Sequence, residues 1–210
     1  MSNIVPTEES LSLTRKISDS INNKTFHHHY HILYDIPYVD EDKPVYLEIG
    51  CFAGASSILM LSRPNTKVIA IDTGIAVPQS VAQDNVAKNS VNKDFHYIEA
   101  NSQIQSTKDK VKQLTDKVDI LFIDGDHSRS GVIKDWNLYN TLVKKNGYVV
   151  FDDYNCPQSI GVKEAVTFIT EQDKFDEYYL AIGTIENSLG ARGFSPDFKD
   201  GNCFIMRKLK

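Results

Sequence analysis

The chain has 210 residues, 41% hydrophobic and 24% charged, with a formal net charge of -5. That length supports one domain with a sizeable core, and an acidic balance without a basic run disfavours a nucleic-acid partner. No apolar stretch approaches the ~20 residues of a membrane span, so no membrane partner is expected.

The opening residues lack a basic-then-apolar leader, and Cys51, Cys156 and Cys203 are odd in number and widely spaced. Both features favour a reduced, cytoplasmic compartment. Thr7 followed by Glu8 and Glu9 predicts a helix start, because an oxygen cap and first-turn carboxylates satisfy free N–H groups. Leu13, Ile17 and Ile21 then form one apolar face, and Asn22-Asn23 closes the helix. Residues 26–42 are rich in aromatics and histidine without a clear period. Residues 1–43 therefore read as a helical appendage or lid on a main domain of residues 44–210.

From Val45 the pattern alternates. Short apolar runs at Val45–Ile49, Lys67–Ile71, Phe95–Glu99, Val118–Ile123 and Tyr148–Phe151 predict strands. Ser56–Ser62, Ser80–Asn89, Ile104–Leu114 and Ser130–Lys144 predict helices, the last on a stripe of Val132, Trp136, Tyr139 and Val143. Val162, Ala165, Val166 and Ile169 mark another helix. Tyr178–Ile185 and Asn202–Met206 predict two strands that pair antiparallel across a polar loop, 186–201. Alternating strands and helices imply right-handed crossovers and a parallel sheet covered on both faces. The expected architecture is α/β and Rossmann-like: a mostly parallel seven-stranded sheet with an antiparallel last strand and helices on both sides.

In such sheets ligands bind beyond the carboxyl ends of the strands. The first strand ends in Glu48-Ile49-Gly50-Cys51-Phe52-Ala53-Gly54-Ala55-Ser56, an acidic residue and two glycines leading into a helix of small residues. Backbone can approach a ligand closely there, and free N–H groups at the helix start would face it. Glu48 stands where a dinucleotide fingerprint has glycine, and its charge would repel a pyrophosphate. The turn instead suits a cofactor with an amino-acid end, pointing to S-adenosyl-L-methionine. Glu48, Gly50, Gly54 and Ser56 are its candidate contacts at that end. Asp72, about 20 residues past the turn, suits the ribose hydroxyls. Asn101, Ser102 and Gln103 suit the adenine edge.

The fourth strand ends in Asp124-Gly125-Asp126-His127 and the fifth in Asp152-Asp153. Asp124, Asp152 and Asp153 meet at adjacent strand ends, and three close carboxylates do not all stay ionised without a cation. Hard oxygen donors suit Mg2+ or another divalent ion. The alternative is that Asp124 caps the next helix and Asp152-Asp153 only form a turn. His127 has the chemistry of a general base near neutral pH, with Asp126 the second candidate; a surface histidine capping the Ser128–Ser130 turn is the plainer reading. His27, His28, His29 and His31 lack a partner at zinc-ligand spacing and read as solvent-facing or lid residues. Trp136 reads as core.

Together, Glu48-x-Gly50-x-x-x-Gly54, Asp72, Asn101-Ser102-Gln103 and the Asp124 strand end resemble a class I S-adenosylmethionine-dependent methyltransferase. Ile123-Asp124-Gly125-Asp126-His127-Ser128, with Gly131-Val132 and Phe151-Asp152-Asp153-Tyr154, resembles a small bacterial family including metal-dependent sugar O-methyltransferases of macrolide pathways. Catechol-type O-methyltransferases are more distantly similar. The resemblance spans about Val45 to Ala165. It implies that the three aspartates hold Mg2+, that Asp124 also borders the cofactor, and that His127 stands at a base position. It further implies O-methylation of a small hydroxylated acceptor such as a sugar or glycosylated metabolite, by an enzyme for which a homo-oligomer is an open option. Two rivals remain: a non-catalytic binding or scaffold protein on the same fold, and a nucleotide-dependent oxidoreductase, which Glu48 argues against.

Overall fold

The computed structural model describes residues 7–21, 30–185 and 203–210. Among them, seven strands form one sheet in the order β3-β2-β1-β4-β5-β7-β6. The strands are β1 (Val45–Ile49), β2 (Lys67–Asp72), β3 (Phe95–Glu99), β4 (Val118–Ile123), β5 (Val143–Phe151), β6 (Tyr179–Ile185) and β7 (Cys203–Lys208). Neighbours from β3 to β5 pair parallel. β7 lies between β5 and β6 and runs antiparallel to both. The expected hairpin of the last two strands is present, with β7 inserted inside rather than added at the edge. The connection 186–201 lies outside the described residues.

The helices are α1 (Glu8–Ser20), α2 (His31–Asp35), α3 (Ala55–Leu61), α4 (Gln79–Asn89), α5 (Gln105–Leu114), α6 (Arg129–Tyr139), α7 (Ile160–Thr170) and α8 (Phe175–Tyr178). Period-two alternation splits each strand between two apolar cores. Tyr46, Val68, Ile120, Phe122 and Val150 face one side with α1, α2, α3 and Val86 of α4. Leu47, Ile49, Ile69, Leu121 and Val149 face the other with Val111 of α5, Trp136 of α6 and Val166 of α7. Trp136 is 5% exposed and its ring centroid lies 4.8 Å from that of Tyr179.

α1 starts as its sequence predicts. Thr7 and Ser10 form a reciprocal capping box, and Asp35 at the end of α2 accepts from Thr7 Oγ1 at 2.9 Å and from Ser10 Oγ at 2.6 Å. Ile32, Leu33 and Ile36 are completely buried. Each such side chain contributes about 1.5–3 kcal/mol on burial, against about 0.5–1.5 for a net hydrogen bond. Packing therefore holds this segment on the sheet more than its polar ties do.

The main departure from the sequence pattern is at β5. α6 ends at Tyr139, a 3-10 turn covers Asn140–Leu142, and β5 begins at Val143, five residues before the predicted start. Val118 pairs with Val143 while Ile120 pairs with Tyr148, so residues 144–147 bulge out of register. Asp119 is the cause. Its carboxylate, with no exposed surface, accepts the Lys144 ammonium at 2.8 Å and the backbone N–H groups of Val39, Asp40 and Val45 at 3.0, 2.9 and 2.8 Å. A buried carboxylate needs that set of donors, and supplying them overrides the helical stripe.

Candidate active site

Strand order reverses between β1 and β4, which start crossovers to opposite sides, and in open α/β sheets this switch point opens a crevice. A cavity of about 540 Å³ lies there. Its lining includes Gly50, Ser56, Asp72, Asn101, Ser102, Gln103, Asp124, Asp126 and His127 among the residues singled out from sequence, together with Tyr30. Glu48, Gly54, Asp152 and Asp153 do not line it.

The β1–α3 turn is built around buried donors and acceptors. Gly50 has φ +90°, and a Cβ on it would stand 1.9 Å from the carbonyl oxygen of Asp124. Glycine is needed here for the approach of the β4 end as much as for any ligand. Glu48 sits on the α3 side of the sheet with no exposed surface. It accepts from Ser56 Oγ at 2.6 Å and from Ser57 Oγ. Burial raises its carboxyl and the serine hydroxyls oppose that rise. Gly54 is the N-cap of α3 in a left-handed conformation. Asp72 Oδ2 accepts the N–H groups of Cys51 and Phe52 at 2.8 and 2.9 Å, and Oδ1 accepts that of Gly74 at 2.8 Å. Asp72 thus ties the turn to β2 while also lining the cavity.

Across the cavity, Asn101 Oδ1 accepts the Gln103 N–H at 2.8 Å, and Ser102 O accepts the Tyr139 hydroxyl at 2.8 Å. Gln103 Nε2 donates to Asp126 Oδ2 at 3.0 Å, and the Ser128 N–H to Asp126 Oδ1 at 2.9 Å. Asp126 is therefore turned into the start of α6. Burial pulls its carboxyl up, but the Ser128 and Gln103 donors more than offset this and leave it below its ordinary value, which makes it a weak base. Behind this loop, burial raises the Asp135 carboxyl to about 7.

The acidic end is the crowded one. Asp124, His127 and Asp153 each place a ligand-type atom within 4.8 Å of the others. His127 Nε2 lies 3.4 Å from Asp124 Oδ1, and Nδ1 lies 3.5 Å from Asp153 Oδ2. Asp153 has φ 55°, a left-handed conformation rare outside glycine, and such strain gathers at functional sites. Asp152, its neighbour, meets β7. It is 1% exposed, and its Oδ1 accepts Cys203 Sγ of β7 at 3.4 Å. The sequence grouped Asp124, Asp152 and Asp153; the structure's group has His127 in place of Asp152. Burial first, then the Asp152 charge, raises Asp124. The hydrogen bond to Asp124 raises His127 to about 9. Two carboxylates and an imidazole converging on one point fit a divalent cation.

Two participants escaped the sequence reading. Tyr30, in the aromatic stretch before α2, donates its hydroxyl to Asp124 Oδ2 at 2.8 Å. Ser159, 4% exposed, lies 3.1 Å from both His127 Nδ1 and Asp153 Oδ2. The aromatic composition hinted at Tyr30; no local signal marks Ser159. His31 is buried on α2, not solvent-facing, while His27, His28 and His29 lie outside the described residues.

Comparison with known proteins agrees with this geometry. A family model described as a methyltransferase domain matches residues 47–154, from β1 to just beyond Asp153. The chain is 34% identical over 186 residues to an uncharacterized protein of Acanthamoeba polyphaga mimivirus, covering 83% of each. An O-methyltransferase from Bacillus cereus solved in complex with SAH is similar with a TM-score of 0.62 at 15% identity, covering 99% of this chain and 93% of that one. The O-methyltransferase TomG from Streptomyces achromogenes, involved in tomaymycin synthesis and solved with SAM, gives 0.61 at 18%, covering 99% and 92%. The glycine turn, the strand-end carboxylates and the matched span together place the chain in the methyltransferase-domain family, with the class I S-adenosylmethionine-dependent fold.

Proposed function

We propose that the protein transfers a methyl group from S-adenosyl-L-methionine to a hydroxyl of a small acceptor, a sugar or glycosylated metabolite, with help from a divalent cation such as Mg2+. The observation that carries this reading is the convergence of Asp124, His127 and Asp153, the first two of which line the same cavity as the glycine turn. The turn at Gly50 with Ser56 would hold the methionine end, Asp72 the ribose, and Ser102 and Gln103 the adenine. S-adenosylmethionine, when bound, supplies a methyl on a sulfonium, a good leaving group; a divalent cation supplies charge that lowers the pKa of a neighbouring hydroxyl.

What remains for the chain is alignment and proton handling. Asp124 and Asp153 would hold the cation, with Asp152 adding negative charge behind them. His127 would take the acceptor's proton on Nε2. In the cation-free protein the neighbouring carboxylates keep His127 protonated, so neutralising them is what frees it to act as a base. Residues 1–43 would serve as a lid over the acceptor, a role supported by Tyr30 lining the cavity. Among the described residues no helix is long and apolar enough to cross a membrane, and the three cysteines are free; both suit the cytoplasm. The acidic composition supports a small-molecule acceptor rather than a nucleic acid.

The test is S-adenosylhomocysteine release across a panel of sugars, glycosylated metabolites and catechols, in EDTA and with Mg2+ restored. Turnover on a sugar hydroxyl that EDTA stops and Mg2+ restores is expected. Full turnover in EDTA removes the cation from the reading, and turnover confined to amines or catechols removes the acceptor class.

A further inference from the structure

Behind the cavity wall, away from the acidic cluster, lies a carboxyl that the proposed reaction does not use. Asp135, on the buried face of α6, has no exposed surface. Among the described residues, neither of its oxygens accepts a hydrogen bond of ordinary geometry. Asp119, equally buried, has four donors; Asp135 has none of that support.

The hydroxyls that α6 and α5 turn toward the Asn101–Gln103 loop give their hydrogens to its carbonyls. Tyr139, one helical turn beyond Asp135, donates to Ser102 O at 2.8 Å, and Thr107 donates to Asn101 O at 2.7 Å. A hydroxyl has one hydrogen, so neither can serve Asp135. That leaves the Ser102 hydroxyl as the side-chain donor close enough to act on it, and Ser102 also lines the cavity. Gln103 is held separately, by Asp126.

Few charges act on Asp135. Asp126, in the β4–α6 loop, opposes its ionisation, and Lys134, exposed beside it on α6, favours it. The buried residues of α5 are Thr107 and Val111, neither charged. Burial outweighs the rest and raises the carboxyl to about 7. The surroundings therefore suit a neutral acid. An ionised one needs a donor, and the one within reach belongs to the cavity wall.

We infer that Asp135 is a positioning residue for the cofactor's adenine: neutral, it leaves Ser102 facing the cavity, and ionised, it draws the Ser102 hydroxyl inward and weakens cofactor binding. This deepens the proposed function and rests on its assignment of Ser102 to the adenine. Because the coupling is reciprocal, cofactor binding should favour the protonated acid and take up protons.

The experiment is calorimetric titration of the full chain with S-adenosylhomocysteine, in EDTA, from pH 6 to 7.5. Two buffers of different ionisation enthalpy report the protons taken up. Wild-type affinity should fall about three- to fivefold over this range, as one coupled proton allows, with net proton uptake near pH 7. Asp135→Asn, uncharged at every pH, should hold its pH 6 affinity at pH 7.5 and lose most of the uptake. A flat wild-type affinity, or an Asp135→Asn affinity that falls as steeply as the wild type's, overturns the assignment. A purely structural role would give the second result, with affinity shifted equally at every pH. If Asp135→Asn fails to fold, Asp135→Ser, also uncharged, takes its place. Binding that is independent of pH overturns this inference and leaves the cofactor site standing, whereas no binding at any pH overturns both.

Discussion

Strand β4 carries an aspartate near each end, and their surroundings are opposite. Asp119, near the amino end, is buried among four donors, including one ammonium. Asp124, just past the carboxyl end, has Asp152 and Asp153 as neighbours and receives the Tyr30 hydroxyl and a long contact from His127. The first carboxylate is complete within the protein and fastens the segment before β1 to the sheet. The second is short of positive charge, a deficit that a proton or a cation can fill. Burial alone does not mark a functional carboxylate; the donors around it do.

Four changes bear on this contrast, in descending order of expected effect. Gly50→Val should be the most disruptive, because its Cβ would stand 1.9 Å from Asp124 O on a backbone with φ +90°. A left-handed residue alone costs about 1–3 kcal/mol, and the clash adds to that. Thermal unfolding should show a large loss, and wild-type stability would mean the β1 and β4 turns are farther apart than described. Asp119→Ala leaves the Lys144 ammonium without its buried partner and should cost about 3–5 kcal/mol. Urea denaturation measures this, and a loss under 1 kcal/mol would deny the clamp.

Asp124→Asn should abolish turnover with far less effect on stability at neutral pH, and its clearest signature is pH dependence. His127 binds its proton more tightly folded than unfolded, at about 9 against 6.5. The folded state therefore holds more protons between those values, and stability in EDTA should fall as pH rises through that window. Asp124→Asn removes the main cause of the shift and should flatten the slope, as should saturating Mg2+. Asp135 acts in a lower window, up to about 7 from 3.8, and the raised Asp124 carboxyl itself in one up to about 8, so an unchanged slope above pH 8 in the variant would show that Asp124 is not the partner. Tyr30→Phe should be the mildest, about 0.5–1.5 kcal/mol for one hydrogen bond. If it changes neither stability nor the Mg2+ concentration needed for turnover, the Tyr30 contact is incidental.

The sheet was legible because its strands are short apolar runs between turn residues, and period two sorted Tyr46 from Leu47 without further help. The start of β5 was not. Val143 continues the apolar stripe of α6, and the demand that overrides it comes from Asp119, distant in sequence. At the site, strand-end logic brought Gly50, Asp72, Gln103, Asp124 and His127 to one cavity. It could not say that Glu48 points at Ser56 and Ser57 beneath the turn, or that Asp153 approaches His127 while Asp152 meets Cys203. Side-chain direction there depends on one left-handed φ at Asp153. Tyr30 and Ser159 reach the cluster from either side of the matched span, and such long-range contacts leave no mark on neighbouring residues.

The place of β7 has a consequence for how the protein comes into being. A ribosome delivers β5 and then β6, yet in the sheet these two strands are separated by residues 203–208. β5 must keep one edge open throughout that synthesis, and β6 has nothing to zip onto until the later strand arrives. Pairings of such wide sequence separation are slow and expose strand edges while they wait. Cys203, which caps Asp152, travels on that late strand. The glycine-turn side of the crevice can therefore take shape during translation, whereas the surroundings of Asp152 are completed only when β7 slots home.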